Sequence, residues 1–136
     1  MTGIKLDGKE IAQSVKERVK KAVEELKTQN INPCLATVLV GDNPASASYV
    51  KTKHKACEEV GIITKDHKLA SNITQTELNE TIDNLNKDTS VHGILVQLPL
   101  PDQLNEFTTT SRIAPLKDVD GLTPYNVGLL SMKKAA

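Results

Sequence analysis

The stretch CLATVLVGDNPAS, residues 34–46, decides the fold class of this chain. Its first part, Cys34 to Gly41, is nearly all apolar and ends in glycine, a pattern typical of a strand buried on both faces. The following DNP, residues 42–44, predicts the start of a helix, because a side-chain oxygen can cap free backbone N–H groups and proline suits the first helical position. A buried strand followed at once by a helix favours a parallel sheet covered by helices.

The rest of the chain continues this alternation of helix and strand. Gly61 is a helix stop, and Thr74 with Glu77 three residues later is a capping box. The alternation implies right-handed crossovers, so we predict an α/β fold, a three-layer domain with a mostly parallel sheet flanked by helices. Residues 102–117 stay undecided, since the run TTTS at 108–111 is a poor helix interior. The predicted elements are helices over 8–29, 44–60 and from Thr74 through Leu85, and strands over 34–41, 62–69 and 91–101.

Composition narrows the possible functions. The chain has 136 residues, which fits one domain, and its 17 basic side chains offset 17 acidic ones, so no global field points to nucleic acid or a membrane surface. No apolar run approaches the ~20 residues of a membrane span. Cys34 and Cys57 lack the spacing of a zinc or redox pair and suit a reducing compartment. We expect a cytoplasmic protein, or a mitochondrial one if a presequence was removed.

One lysine stands out in the helix over 44–60. At 100 degrees per residue, Lys53 falls about 40 degrees from Tyr49, on the same arc as Ser46, while Lys51 and Lys55 fall on the far side. Lys53 therefore either lays its methylenes on the core and extends its charge to water, or serves as an acid or base. Tyr49 is either a half-buried ring with a wet hydroxyl or a ligand contact.

Two further segments place polar groups near strand ends, where open parallel sheets bind ligands. Gln97 interrupts the apolar strand over 91–101, and its amide needs a partner, which is a backbone group, a ligand or Lys53. The sequence KDVDG, residues 117–121, is either a solvated turn or a carboxylate for a ring edge rich in N–H donors. The chain has three histidines. We interpret His92 as a structural residue, and His54 and His67 as surface residues.

Three segments, in this order, resemble the family of bifunctional methylenetetrahydrofolate dehydrogenase/cyclohydrolase enzymes. They share the patterns A-S-x-x-Y-V-x-x-K, G-x-x-V-Q-L-P-L-P and K-D-V-D-G, and the resemblance extends from about Leu6 to the end of the chain. The segments are GDNPASASYVKTKHKACEEVGI (41–62), VHGILVQLPLP (91–101) and APLKDVDGLTPYNVG (114–128).

The resemblance implies an activity in one-carbon metabolism. The family oxidises 5,10-methylenetetrahydrofolate to the methenyl form with NADP and hydrolyses that product to 10-formyltetrahydrofolate, which supplies purine biosynthesis. The family's members are implied to be homodimers. By resemblance, the catalytic residues would be Lys53 as the essential acid/base, Gln97 as its hydrogen-bond partner and Asp120 as the contact to the pterin edge.

The resemblance also assigns residues that bind the folate substrate. Tyr49 would stack on the folate, Ser46 would make an auxiliary contact, and the backbone around Val96 and Leu98 would line the site.

The resemblance also reveals a difference in length. Family members are about twice as long and continue into a Rossmann domain that binds NADP, whereas these residues contain no glycine-rich phosphate loop. We therefore interpret residues 1–136 as the N-terminal catalytic, tetrahydrofolate-binding domain, without cofactor-binding or metal-ligating residues of its own and inactive as a dehydrogenase in isolation. The alternative is a noncatalytic α/β folate-binding or dimerisation module. The segment EFTTTSR, 106–112, departs from the more helical family pattern.

Overall fold

The structure, a computed structural model, describes residues 3–134, so the predicted domain bounds of 1–136 extend two residues beyond it at each end. Helices and parallel strands alternate through most of this range, and the predicted α/β class is confirmed. No helix among these residues has the length and apolarity needed to cross a bilayer. The elements are α1 (Gly8–Thr28), β1 (Cys34–Val40), α2 (Pro44–Val60), β2 (Ile63–Leu69), α3 (Gln75–Lys87), β3 (Gly93–Val96), α4 (Glu106–Arg112), a 3₁₀ turn (Pro115–Lys117) and α5 (Pro124–Ser131).

The three strands form one parallel sheet in the order β2-β1-β3. The register places Thr37 beside Asp66 on one side and Val38 beside Val96 on the other. Because β1 lies in the centre, six of its seven residues are buried, whereas the edge strand β2 has none that is fully buried. This explains why β1 is read easily from an apolar run and β2 only weakly.

The two faces of the sheet carry different helices. Alternate residues of β1, Ala36, Val38 and Val40, belong to an apolar cluster that also contains Leu78 and Ile82 of α3. The residues between them face the opposite side, where α2 contacts both β1 and β2. Helices therefore cover both faces, which confirms the predicted three-layer arrangement.

The predicted strand over 91–101 is too long. Regular pairing covers only Gly93–Val96, with single backbone hydrogen bonds beyond it from His92 N to the Cys34 carbonyl and from Gln97 N to the Val38 carbonyl. Beyond that point Pro99 has no N–H group to donate, so the ladder cannot continue. The last residues of the predicted strand are instead an irregular segment that leads toward α4.

The undecided segment 102–117 contains a helix, so the doubt about EFTTTSR is removed. Asn105 caps α4 by accepting from Thr108 N at 2.8 Å. The buried hydroxyls of Thr109 and Thr110 donate to the backbone carbonyls one turn earlier, at 2.8 and 3.0 Å. Threonine disfavours helices because its hydroxyl competes for backbone groups, and here that hydroxyl bonds within the helix.

The amphipathic helix predicted over 8–29 is confirmed as α1, but its apolar stripe is only partly used. Val23 is its buried residue, while Ile11 and Val15 are 56% and 41% exposed. Helix α1 contacts α2, with Lys16 Nζ 2.7 Å from Glu59 Oε2. The periodicity therefore identified an apolar face correctly without identifying how much of it is covered.

Candidate active site

Lys53 and Gln97 meet at the carboxyl edge of the sheet. Lys53 Nζ donates to Gln97 Oε1 at 3.0 Å. Gln97, only 9% exposed, uses its own Nε2 to donate to the Leu98 carbonyl at 3.0 Å. Because that donation fixes which end of the amide faces the lysine, Gln97 presents an acceptor to Lys53. The structure thus brings these two predicted site residues together, and their chemical roles stay predictions.

Helix α2 selects Lys53 from its neighbours. Asn43 caps the helix by accepting from two N–H groups of the first turn, at 2.9 and 3.2 Å. Gly61 ends it at φ +86°, a left-handed conformation that glycine adopts without steric cost. Between these two ends Lys53 is half-buried, while Lys51 and Lys55 are exposed. The rotation predicted from sequence is confirmed, because of these three lysines only Lys53 is drawn toward the interior.

The remaining predicted contacts differ in their exposure. Tyr49, one turn before Lys53, is 60% exposed, so its ring is available to stack on a flat ligand. Ser46 is 3% exposed and Val96 is also 3% exposed, so neither side chain offers appreciable surface to a ligand. Leu98 packs partly against the core cluster. Its carbonyl, together with the Gln97 amide, is what this segment contributes to the site.

Asp120 lies on a separate groove. The groove has a volume of about 620 Å³, and the residues lining it include Asp118, Asp120 and Tyr125, but neither Lys53 nor Gln97 among the described residues. Asp120 is exposed, whereas Asp118 is half-buried. Burial alone raises the pKa of Asp118, yet hydrogen bonds from Thr123, Asn126 and Leu122 outweigh it and hold that pKa below its ordinary value. The two carboxylates of KDVDG therefore differ in exposure: Asp118 is half-buried and hydrogen-bonded, whereas Asp120 is exposed.

The described residues do not fit an NADP site. A phosphate-cradling loop needs several glycines between a strand and a helix, so that backbone N–H groups can approach the ligand. The loop between β1 and α2 has one glycine, Gly41, where an added Cβ would lie 3.4 Å from Ser71 Cβ. The loop before α3 has none, and its Thr74–Glu77 capping box already uses the N–H groups of that helix end.

Sequence reasoning missed a polar network that joins α2 to β1 and β2. His54 lies at the surface as predicted, but it is paired there: its Nδ1 lies 2.8 Å from Asp66 Oδ2 and its Nε2 lies 3.1 Å from Glu58 Oε1. The buried Thr37 hydroxyl donates to the other Asp66 oxygen at 2.6 Å. His67 is half-buried, which differs from the surface interpretation. The signal available in sequence was Thr37, the one hydroxyl in CLATVLV.

His92 has the structural role that was predicted. Its Nδ1 accepts from Cys34 N at 3.1 Å and so supports the first residue of β1.

A parallel α/β sheet with polar side chains gathered at the carboxyl ends of its strands is typical of the class of ligand-binding α/β domains. The sequence model of one protein family, "Tetrahydrofolate dehydrogenase/cyclohydrolase, catalytic domain", matches residues 6–120. This chain belongs to that family, which confirms the resemblance found in the sequence.

Relatives and solved structures agree with this assignment. The chain is 79% identical over 136 residues to the bifunctional protein FolD of Nitrosopumilus maritimus, covering 100% of this chain and 47% of the relative. It is 60% identical to FolD of Cenarchaeum symbiosum, covering 93% and 45%. The chain therefore spans about half the length of the curated relatives it matches.

The structural comparisons cover the same half. The crystal structure of the bifunctional enzyme FolD from Campylobacter jejuni matches with a TM-score of 0.94 and 51% identity, over 96% of this chain and 46% of that one. FolD of Trypanosoma brucei, described as complexed with NADP cofactor and inhibitor, matches with a TM-score of 0.91 and 32% identity, over 100% and 47%.

Proposed function

We propose that this chain is the folate-binding catalytic domain of a bifunctional methylenetetrahydrofolate dehydrogenase/cyclohydrolase. The observation that carries the proposal is the 3.0 Å contact between Lys53 Nζ and Gln97 Oε1 at the carboxyl edge of the sheet. In the first reaction, 5,10-methylenetetrahydrofolate loses a hydride from its one-carbon bridge to NADP⁺. In the second, water adds to the resulting methenyl carbon, one C–N bond breaks and a proton is released, giving 10-formyltetrahydrofolate.

Lys53 is suited to the proton transfers of the second reaction. Its amine can take a proton from the attacking water, and its ammonium can return one to the nitrogen that leaves the carbon. Gln97 orients the lysine, since its amide is held by the Leu98 carbonyl and cannot turn freely. Orientation of this kind raises the fraction of bound substrate that is ready to react.

Tyr49 and Asp120 would hold the folate. The exposed ring of Tyr49 stands one helical turn from Lys53, where it can stack on the pterin and hold the one-carbon bridge near the amine. The outward carboxylate of Asp120 matches the N–H donors of the pterin edge. Because the groove that Asp120 lines does not include Lys53, the proposal requires a ligand that extends from this groove to the lysine.

The cofactor is proposed to bind outside these residues. NADP accepts the hydride in the dehydrogenase reaction, and the described residues lack the glycine-rich loop that its phosphates need. We therefore assign NADP to the part of the relatives that this chain does not match, which is about half of their length. The isolated chain is expected to bind folate weakly and to transfer no hydride.

The setting of the protein is also proposed. Cys34 and Cys57 are free thiols, and burial raises the pKa of both, so they stay protonated and unreactive, which suits a reducing cytoplasm. A homodimer and a supply of one-carbon units to purine biosynthesis stay predictions from the resemblance. Sedimentation of the intact protein tests the first.

Replacing Lys53 with methionine tests the proposed function. In the complete protein that carries this sequence, Lys53→Met should lower kcat for hydrolysis of 5,10-methenyltetrahydrofolate by about 10²- to 10⁴-fold, the usual contribution of a general acid or base. Lys55→Met is the matched control, because it removes the same charge from an exposed position two residues away and should leave kcat unchanged. Turnover by Lys53→Met equal to that of the unmodified protein overturns the assignment and favours the noncatalytic module.

A further inference from the structure

Lys117 makes an unusual set of contacts for a lysine in a turn. Its Nζ donates to the backbone carbonyls of Leu85, Asn86 and Asp88, at 3.0, 2.9 and 2.8 Å. An ammonium has three N–H donors, so all of them are used. Carbonyls at a helix C-terminus lack intrahelical partners and carry partial negative charge. Lys117 therefore holds the last turn of α3, which ends at Lys87.

Asp118, the next residue, makes the complementary set of contacts. Its carboxylate accepts from Thr123 N at 2.8 Å, from Leu122 N at 3.2 Å and from Asn126 Nδ2 at 3.0 Å. These donors lie where α5 begins, at Pro124. Asp118 also forms an isolated parallel bridge with Ile94 of β3. Two consecutive residues of opposite charge are thus fixed to two helix ends of opposite polarity, and the second also adjoins the sheet.

The residue that this double attachment supports is Asp120. It lies two positions beyond Asp118, in a short turn that Gly121 closes at φ +67° by donating from its N–H to the Asp118 carbonyl at 3.4 Å. Asp120 itself is exposed on the groove of about 620 Å³. A turn with one free end would spread an exposed carboxylate over many positions, and ordering it on binding would cost affinity.

We propose that Lys117 is a positioning residue for Asp120, fixing the turn so that its carboxylate is ordered before the folate binds. The inference rests on the proposed contact between Asp120 and the pterin edge. Lys117 touches neither Lys53 nor Gln97 through any described hydrogen bond, so its effect falls on binding and not on the chemical step. A loss of uniform binding raises KM and leaves kcat unchanged.

A double-mutant cycle in the complete protein tests this inference, with hydrolysis of 5,10-methenyltetrahydrofolate as the assay. Lys117→Met should raise KM about tenfold with kcat changed less than about twofold, and Asp120→Asn should raise KM similarly. If Lys117 acts through Asp120, then Lys117→Met should add less than about a twofold rise in the Asp120→Asn background. A purely structural role for Lys117 would give the same factor in both backgrounds and would overturn the inference.

Two further variants control for net charge and for loss of folding. Lys87→Met removes the same charge from an exposed position at the end of α3, so it should leave KM unchanged. An equal rise of KM in Lys87→Met would attribute the effect to net charge and overturn the inference. If thermal melts show that Lys117→Met does not fold, Lys117→Arg takes its place in the cycle, since it keeps the charge but cannot direct three donors at three carbonyls in the same way. The same coupling to Asp120 is then expected with a smaller rise.

The failure of the inference and the failure of the proposed function give different results. A normal KM in Asp120→Asn would remove the Asp120 contact from the proposed function, and the inference with it, while the Lys53→Met result would stand. If Asp120→Asn raises KM and Lys117→Met raises it by the same factor in both backgrounds, the inference about Lys117 is overturned while the proposed function stands.

Discussion

The two faces of the central strand are stabilised in different ways. Toward α3, the side chains of β1 are apolar and join Leu78 and Ile82, both 0% exposed. Toward α2, the buried Thr37 hydroxyl bonds Asp66, which in turn meets His54. The same helix α2 carries Lys53. The α3 face thus supplies apolar burial, while the α2 face combines ionisable groups with the candidate site, and the two faces should respond differently to substitution and pH.

The largest expected effect comes from the α3 face. Ile82→Ala should lower the free energy of unfolding by about 2–5 kcal/mol, because it leaves a cavity in a fully buried cluster. Ile11→Ala is the matched control at a position 56% exposed on α1 and should change it by about 0.5 kcal/mol or less. Urea unfolding measures both. An equally large loss for Ile11→Ala would show that the α1 stripe is covered in solution and that the α3 face has no special weight.

A reciprocal exchange on neighbouring residues of β1 gives the next effect. Val38→Thr places an unpaired hydroxyl in the α3 face, where Val38 is 0% exposed, and should cost about 1–3 kcal/mol. Thr37→Val removes the hydroxyl that bonds Asp66 on the α2 face and should cost only about 1 kcal/mol, since Asp66 is still half in water. Urea unfolding of the two variants measures which substitution lowers the free energy of unfolding more. If Thr37→Val costs more, polar contacts and not apolar burial dominate the centre of the sheet.

The smallest effect is a pH dependence confined to the α2 face. Hydrogen bonds that the protonated ring donates to Asp66 and, to a lesser extent, to Glu58 raise the pKa of His54 above its ordinary value of 6.5. The folded state therefore binds that proton more tightly, so the stabilisation is complete below about pH 6.5 and is lost as the pH rises through the raised value. His54→Gln should flatten the dependence of unfolding free energy on pH in this window. Ile82→Ala should leave the slope of unfolding free energy against pH unchanged. A loss of that slope in Ile82→Ala would show that the two faces do not respond independently.

Local patterns were sufficient for α1, α2, α3 and β1, and for the rotation that separates Lys53 from its neighbours. The helical rotation that separated Lys53 from Lys51 and Lys55 depends only on spacing within α2, and the caps at Asn43 and Gly61 are local as well. The contact between Lys53 and Gln97 spans 44 residues. The sequence offered Lys53 as one of three possible partners of the Gln97 amide, and the family resemblance selected it among them. What a sequence pattern reports well is the arrangement within one element.

The features that were missed depend on contacts between elements. The His54–Asp66 contact needs the register of β2 beside β1, which no spacing within α2 reveals. The partly exposed stripe of α1 depends on where that helix crosses its neighbours. Helix α4 was doubted because threonine has low helix propensity, and Asn105 with the contacts to α3 overrides that propensity.

The amide of Gln97 is an uncharged hydrogen-bond acceptor, and this affects which protonation states of Lys53 it can hold. An uncharged acceptor can hold a lysine both as an ammonium and as a free amine, because both forms keep at least two N–H donors. A carboxylate in the same place would bind the ammonium far better than the amine and would also face the Leu98 carbonyl, which now accepts from the Gln97 Nε2. Under the proposed mechanism, the side chain at position 97 would therefore let Lys53 change charge during a turnover without changing place.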